Sequence, residues 1–151
     1  IRRRQLGTKG KQVVLTNGCF DLLHAGHIHF LQEASRLGDA LIVGLNSDKS
    51  VKSLKGPMRP IQSERERAMA LSALGCTSLV FVFDQERLAA EIRELRPDIY
   101  AKAGDYSWET LDASERTALQ EVDTKVHFLP ILAGFSTTEL IKRASLARDI
   151  V

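Results

Sequence analysis

Thr16-Asn17-Gly18-Cys19-Phe20-Asp21-Leu22-Leu23-His24-Ala25-Gly26-His27 is the stretch on which the fold turns. The apolar run Val13-Val14-Leu15 leads into it and reads as a buried strand over about 12–17. Ile28, Leu31, Ala34 and Leu37 follow at helical spacing, which predicts a helix over about 26–37 with Gly38 as its C-cap. The two histidines therefore sit where a strand gives way to a helix. In open parallel sheets, ligands bind beyond the carboxyl ends of the strands. A helix N-terminus placed there offers unpaired N–H groups and a partial positive charge suited to phosphate. Gly18 and Gly26 let the backbone come close to a ligand, and His24 and His27, three apart, share a helix face.

The stretch supports more than one chemistry. It can be a tight turn with two solvated histidines. It can be a zinc site, but zinc wants a third and fourth ligand, and although Cys19 is near, Cys76 is far along the chain and no CxxC pair exists. It can be a phosphate site of the kind a helix N-terminus makes.

Outward from this stretch, apolar runs alternate with amphipathic segments. Ala40 to Leu45 reads as a second buried strand ending in Asn46-Ser47-Asp48, with a short helical stretch through Leu54. Lys55-Gly56-Pro57-Met58-Arg59-Pro60 then breaks regular structure and reads as a loose loop carrying two cations. Ser63 with Glu66 makes a capping box, and Ala68, Leu71 and Leu74 carry the face of the helix it starts, with Gly75 ending it. Leu79–Phe83 is a third strand, 85–95 a helix stopped before Pro97, and Ile99-Tyr100-Ala101 a fourth strand running into Lys102-Ala103-Gly104-Asp105-Tyr106. A helix over 112–121, a strand over 126–129 and a last helix follow. That last helix opens with a second capping box, Ser136 with Glu139, and buries Leu140, Ile141 and Ala144.

Strands alternating with helices predict an α/β fold: a doubly wound, Rossmann-like parallel sheet of five strands. The glycine fingerprint GxGxxG is absent, which disfavours a dinucleotide dehydrogenase, and Gly7 to Lys11 lacks the spacing of a P-loop. In this fold Asn17 to His27, Asn46 to Asp48, Lys102 to Tyr106 and Ser136 to Thr138 all fall at one edge of the sheet. The cations Lys55, Arg59 and Arg67 lie between them. Together they describe a crevice for a nucleotide and a second phosphate. Arg67 also has a plain reading, as a surface ion pair with Glu64 or Glu66; Lys55 can be a simple surface lysine, and Asp105-Tyr106 a turn closure.

With 151 residues, 44% of them hydrophobic, the chain is expected to form one domain, 1–151, with 1–11 a polar arm. A net charge of +2 gives no broad field for nucleic acid, and Arg2-Arg3-Arg4 reads as a solvated tail. No apolar run is long enough to span a membrane, no signal peptide is evident, and two distant cysteines fit a reducing cytoplasm. Ile rather than Met at position 1 leads us to expect a piece of a longer chain.

Phe20-Asp21 followed by His24-x-Gly26-His27 resembles the signature of the nucleotidyltransferase superfamily that includes the cytidylyltransferases. The resemblance extends over about 12–144. Asn46-Ser47-Asp48, Leu54-Lys55-Gly56, Arg59-Pro60, Lys102-Ala103-Gly104-Asp105-Tyr106 and Ser136-Thr137-Thr138 look like its D-glycero-β-D-manno-heptose 1-phosphate adenylyltransferase branch, often one domain of a bifunctional heptose kinase/adenylyltransferase. The resemblance implies that His24 and His27 hold nucleotide phosphates and that Lys55 and Arg67 neutralise them. It implies nucleotide contacts from Asn17, Gly18, Cys19, Phe20 and Gly26, and from Ser136, Thr137 and Thr138 near the β/γ end. Gly104 and Asp105 would lie near base and ribose. Asn46, Asp48, Arg59, Lys102 and Tyr106 would face the acceptor, with Asp21 as an orienter or a magnesium contact. No protein-bound metal is expected, only Mg²⁺ arriving with ATP. A homodimer and a fused or separate heptose kinase are further implications.

Two departures bear on the branch. Ala103 stands where that family usually has Gly. The glycerol-phosphate cytidylyltransferases carry an Arg a few residues before their Ser-Thr-Thr, and Ile131 takes its place here, against glycerol 3-phosphate and CTP. The reaction implied is attack of a sugar 1-phosphate oxygen on the α-phosphorus of ATP. Alternatives are a CTP-dependent polyol- or amino-alcohol-phosphate cytidylyltransferase, an FMN adenylyltransferase, or a nucleotide-binding regulatory module without turnover.

Overall fold

In the computed structural model, residues 10–147 are described. The basic run Arg2-Arg3-Arg4 and most of the expected N-terminal arm lie outside them. The elements in order are β1 (Val13–Gly18), α1 (Ala25–Ser35), β2 (Ala40–Asn46), α2 (Asp48–Lys55), α3 (Glu64–Ser72), β3 (Leu79–Phe83), α4 (Ala89–Leu95), β4 (Ile99–Ala103), α5 (Ala113–Glu121), β5 (Lys125–Leu129) and α6 (Thr137–Ala147). The five strands form one sheet in the order β3-β2-β1-β4-β5, with every pairing parallel. The chain winds from β1 through β2 to β3, then returns to place β4 on the other side of β1. Strand order thus reverses between β1 and β4, and a crevice opens at their carboxyl ends.

Side-chain alternation sorts the core onto two faces. Val13, Leu15 and Tyr100 meet Ile92 and Leu95 of α4 and Ala118 and Leu119 of α5. Val14, Leu41 and Ala101 meet Leu31 and Ala34 of α1 and Leu71 of α3. With both faces covered, β2 is buried along its whole length. Each fully buried leucine here contributes about 1.5–3 kcal/mol over an exposed one. The edge strands are wetter: β3 leaves Val82 43% exposed, so its continuous apolar run does not mark a fully buried strand.

Helix starts follow the expected chemistry. Ser47 caps α2, Asp112 caps α5, and Ser63 with Glu66 forms a reciprocal capping box on α3. Three expectations need correction. Gly38 is not the C-cap of α1; Arg36 is, and Gly38 lacks a side chain because a Cβ there would lie 2.8 Å from the Gln12 carbonyl oxygen. Helix α4 begins only at Ala89, because the groups ahead of it bond elsewhere: the Gln85 carbonyl accepts from Ser50 Oγ and the Leu88 N–H donates to Glu115 Oε1. Helix α6 buries none of its residues: Leu140 and Ile141 are half-buried and Ala144 is exposed.

Candidate active site

His24 is the N-cap of α1, and its Nδ1 accepts from the His27 N–H at 3.3 Å. An Nδ1 that accepts carries no proton, so neutral His24 keeps its hydrogen on Nε2, free to donate to a ligand. The His27 ring stacks on His24 with centroids 3.7 Å apart, and Phe20 meets it edge-on at 5.3 Å. Burial first, then the charges of His24 and Lys55, push the His27 pKa down to about 4. Burial also lowers that of His24. The pair is thus neutral at pH 7, and an anion beside the stacked rings favours protonation. Gly26 has a steric reason: a Cβ there would lie 3.0 Å from His24 Cε1 and from Phe135 Cβ.

The loop that presents these rings is strained, with Phe20 and Leu22 at φ of 44° and 54°. Two buried charged groups hold it. Arg67 is wholly buried and donates to four acceptors: Gln62 O (3.0 Å), Cys19 O (2.6 Å), Asn46 O (2.9 Å) and Asp48 Oδ1 (2.8 Å). It ties the loop after β1 to the ends of β2 and α3. This corrects two expectations. Arg67 spends four of its five N–H donors on the protein and does not border the cavity, and Asp48 is engaged with Arg67 and does not border the cavity either. A helix-start arginine looks like a ligand contact in sequence because its carbonyl partners carry no sequence signal.

Asp21 is the second anchor, 1% exposed. Its carboxylate accepts from Arg59 Nε (2.7 Å) and from the Ile61 and Gln62 N–H groups. Burial pushes its pKa up, but those two backbone donors and Arg59 outweigh it and hold the carboxyl below its ordinary range. With both oxygens engaged by Arg59 and the 61–62 backbone, Asp21 orients the loop. The 57–62 loop is accordingly docked at its second half rather than loose throughout. Arg59 Nη2 is buried without a partner, and Arg59 borders the cavity.

On the other side of the crevice, Asn17 Oδ1 accepts from Tyr100 Oη at 2.7 Å and from Lys102 Nζ at 3.1 Å. Burial pushes the Lys102 pKa down. Its ammonium lies 4.9 Å from the centre of the Tyr106 ring. Gly104 does not line the cavity: a Cβ there would sit 2.8 Å from the Leu129 carbonyl, so its role is to pass β5 closely.

The two sides enclose a cavity of about 600 Å³ at the carboxyl edge, within the range of small-molecule sites. It brings together Asn17, Gly18, Cys19, Phe20, Asp21, His24, Gly26, His27, Asn46, Lys55, Arg59, Lys102, Asp105, Tyr106, Ser136, Thr137 and Thr138 of the expected set. Within it the Asn46 amide is engaged with Ser50 Oγ at 2.8 Å. Lys55, the last residue of α2, is exposed at the rim. Ser136 Oγ accepts from the Glu139 N–H, so α6 presents its N-terminus to the same cavity as α1.

Sequence reasoning missed Glu86 and Arg87, which reach the cavity because α4 starts late, and the apolar wall of Leu132 and Phe135. Exposed apolar residues just before Ser136 were the available signal for that wall.

The cytidylyltransferase-like family profile matches residues 15–143, from within β1 into α6. The chain belongs to the cytidylyltransferase-like family. Among relatives of this cytidylyltransferase-like chain is the bifunctional protein HldE of Syntrophotalea carbinolica, 50% identical over 89% of this chain and 27% of that protein. The bifunctional protein HldE of Wolinella succinogenes is 44% identical over 93% of this chain and 28% of that protein. The chain therefore spans little more than a quarter of the length of these curated relatives. A solved structure, the lipopolysaccharide core biosynthesis protein of Thermoplasma volcanium, aligns with TM-score 0.65 and 29% identity, covering 82% of this chain and 98% of that one.

Proposed function

We propose that this chain is an adenylyltransferase that moves AMP from ATP to D-glycero-β-D-manno-heptose 1-phosphate. ADP-heptose and pyrophosphate are the products, and lipopolysaccharide or a related heptose glycoconjugate is the destination. One observation carries the reading: two helix N-termini, one with stacked neutral histidines and one with Thr137 and Thr138, open onto a single cavity. That arrangement suits a polyphosphate. The motif resemblance to the heptose branch supports the choice of acceptor, as does the likeness to the lipopolysaccharide core biosynthesis protein of Thermoplasma volcanium.

The acceptor phosphate is already an anion, so no general base is required. Its oxygen attacks the α-phosphorus in line while the bond to pyrophosphate breaks. Catalysis then consists of holding two anions together and stabilising the charge shed onto pyrophosphate. His24 and His27 donate to the nucleotide phosphates, Lys55 and Arg59 Nη2 add positive charge, and the α6 N-terminus takes the leaving end. Mg²⁺ would arrive with the triphosphate, since it is commonly held by substrate phosphates and water. The bifunctional relatives support a heptose kinase as the fused or cooperating partner.

The test is pyrophosphate release from a matrix of ATP or CTP with heptose 1-phosphate, glycerol 3-phosphate and FMN. Turnover confined to ATP with heptose 1-phosphate is expected. Preference for CTP with glycerol 3-phosphate would move the chain to another branch, and ATP binding without any turnover would make it a regulatory module.

A further inference from the structure

Tyr100 stands on β4 beneath the crevice, fully buried, with its ring in the core shared by α4 and α5. Its hydroxyl reaches out of that core to Asn17 Oδ1 at 2.7 Å, and Lys102 Nζ reaches the same oxygen at 3.1 Å. An amide oxygen has two lone pairs, so both are used. An amide nitrogen could accept from neither donor, which fixes the orientation of the carboxamide. Asn17 Nδ2 is left over: no hydrogen bond among the described residues uses it, and Asn17 borders the cavity.

Lys102 is the other half of the arrangement. It forms no ion pair among the described residues, and its ammonium has Asn17 Oδ1 and the Tyr106 and Tyr100 rings for company. Lys102 is half-buried, and a half-buried cation without an ion-pair partner is costly, a cost that an anionic ligand relieves. Asn17, Tyr100 and Lys102 project from the α4/α5 side of the sheet, whereas His24 and His27 stand on α1 at the opposite side. The crevice thus has one donor set on each flank, as a reaction joining two anions needs.

Resting on the adenylyltransferase reading, we propose that Tyr100 is a positioning residue. With Lys102 it locks the Asn17 carboxamide so that Asn17 Nδ2 and Lys102 Nζ form a paired donor site for the phosphate of the acceptor. The histidine flank and the α6 N-terminus already provide for the nucleotide, which is why the acceptor phosphate is assigned here. The pair reads a phosphate oxyanion; which substrate supplies it is decided by the test.

The test uses Tyr100→Phe, which keeps the ring and removes only the hydroxyl. Inorganic phosphate is titrated into the full chain while the side-chain NH₂ signals of Asn17 are followed by ¹H–¹⁵N NMR. In wild type these signals shift saturably. In Tyr100→Phe saturation requires about three- to tenfold more phosphate, the loss expected for one hydrogen bond. In turnover, the KM for heptose 1-phosphate rises by a similar factor while that for ATP stays within about twofold. A purely structural Tyr100 would lower the melting temperature without this split. If Tyr100→Phe does not fold, Lys102→Met serves, with the Asn17 phosphate response expected to vanish. Asn17 signals indifferent to phosphate, or an unchanged saturation curve in the variant, overturn the proposal. A rise in KM for ATP alone overturns the acceptor assignment. The phosphate titration needs no turnover, so it decides the subsite even if heptose 1-phosphate proves the wrong acceptor.

Discussion

Replacing Arg67 with Met keeps most of the aliphatic volume and removes the guanidinium. Three carbonyl oxygens, of Gln62, Cys19 and Asn46, then lose a donor at a site where Arg67 is wholly buried. Each unsatisfied buried acceptor costs about 1–3 kcal/mol. Asp48 also loses its partner, but its side chain is 36% exposed and water replaces much of that bond. Against these losses stands the relief of a buried charge. The net is about 3–5 kcal/mol, the usual cost of breaking a buried charged network from one side. A domain of this kind has about 5–15 kcal/mol in total, so the loss is a large share. At about 2–4 °C per kcal/mol for a chain near this length, the melting temperature falls by about 6–20 °C. The assay is thermal and urea denaturation followed by circular dichroism. Turnover falls too, because Arg67 holds the Cys19 carbonyl at the head of the histidine loop, and it falls together with stability. A variant that melts within about 2 °C of wild type yet loses turnover would refute the reasoning and return Arg67 to the ligand.

His24→Ala and His27→Ala are expected to fold and to lose about 10²-fold or more in turnover, as when one preorganised donor is removed; steady-state kinetics beside a melting curve checks this, and near-normal turnover contradicts the phosphate role. Lys55→Ala lowers kcat strongly while changing the ATP dissociation constant less, because an exposed rim cation engages mainly when charge develops. The exposed Lys49 and Lys142 are the controls, with nearly silent alanine variants, and a Lys55→Ala loss confined to ATP affinity shifts the role to Arg59. His27 sets a pH dependence of stability: its folded pKa near 4 lies below the ordinary histidine value of 6.5, so the unfolded chain takes up the proton first. Its contribution is therefore full above about pH 6.5 and is lost as pH falls toward 4, on the order of 2 kcal/mol after solvent screening. Urea midpoints at pH 7 and 4.5 measure it, and His27→Gln should flatten the difference.

The sheet was legible because β1, β2 and β4 are buried on both faces and so read as unbroken apolar runs. Ser63 with Glu66 was legible because both halves of a capping box are local. What escaped the sequence was long-range. Three of the four partners of Arg67 are backbone carbonyls, of Gln62, Cys19 and Asn46, invisible to any pattern of side chains. The docking of Asp21 was not legible because its partners, the Ile61 and Gln62 N–H groups, lie about forty residues away. Gly38 and Gly104 looked like a cap and a base contact, yet each is small because another segment's carbonyl passes within 2.8 Å of where a Cβ would be. The exposed face of α6 escaped as well, since amphipathic spacing shows that a face exists and not that anything covers it.

The central claim is that the cavity joins ATP to a heptose 1-phosphate. Pyrophosphate release measured with ATP and D-glycero-β-D-manno-heptose 1-phosphate, beside CTP and glycerol 3-phosphate, tests it most directly. Stoichiometric ADP-heptose and pyrophosphate are predicted from the first pair and little from the second. Equal or faster turnover of CTP with glycerol 3-phosphate, or no pyrophosphate from any pair while ATP still binds, would contradict it.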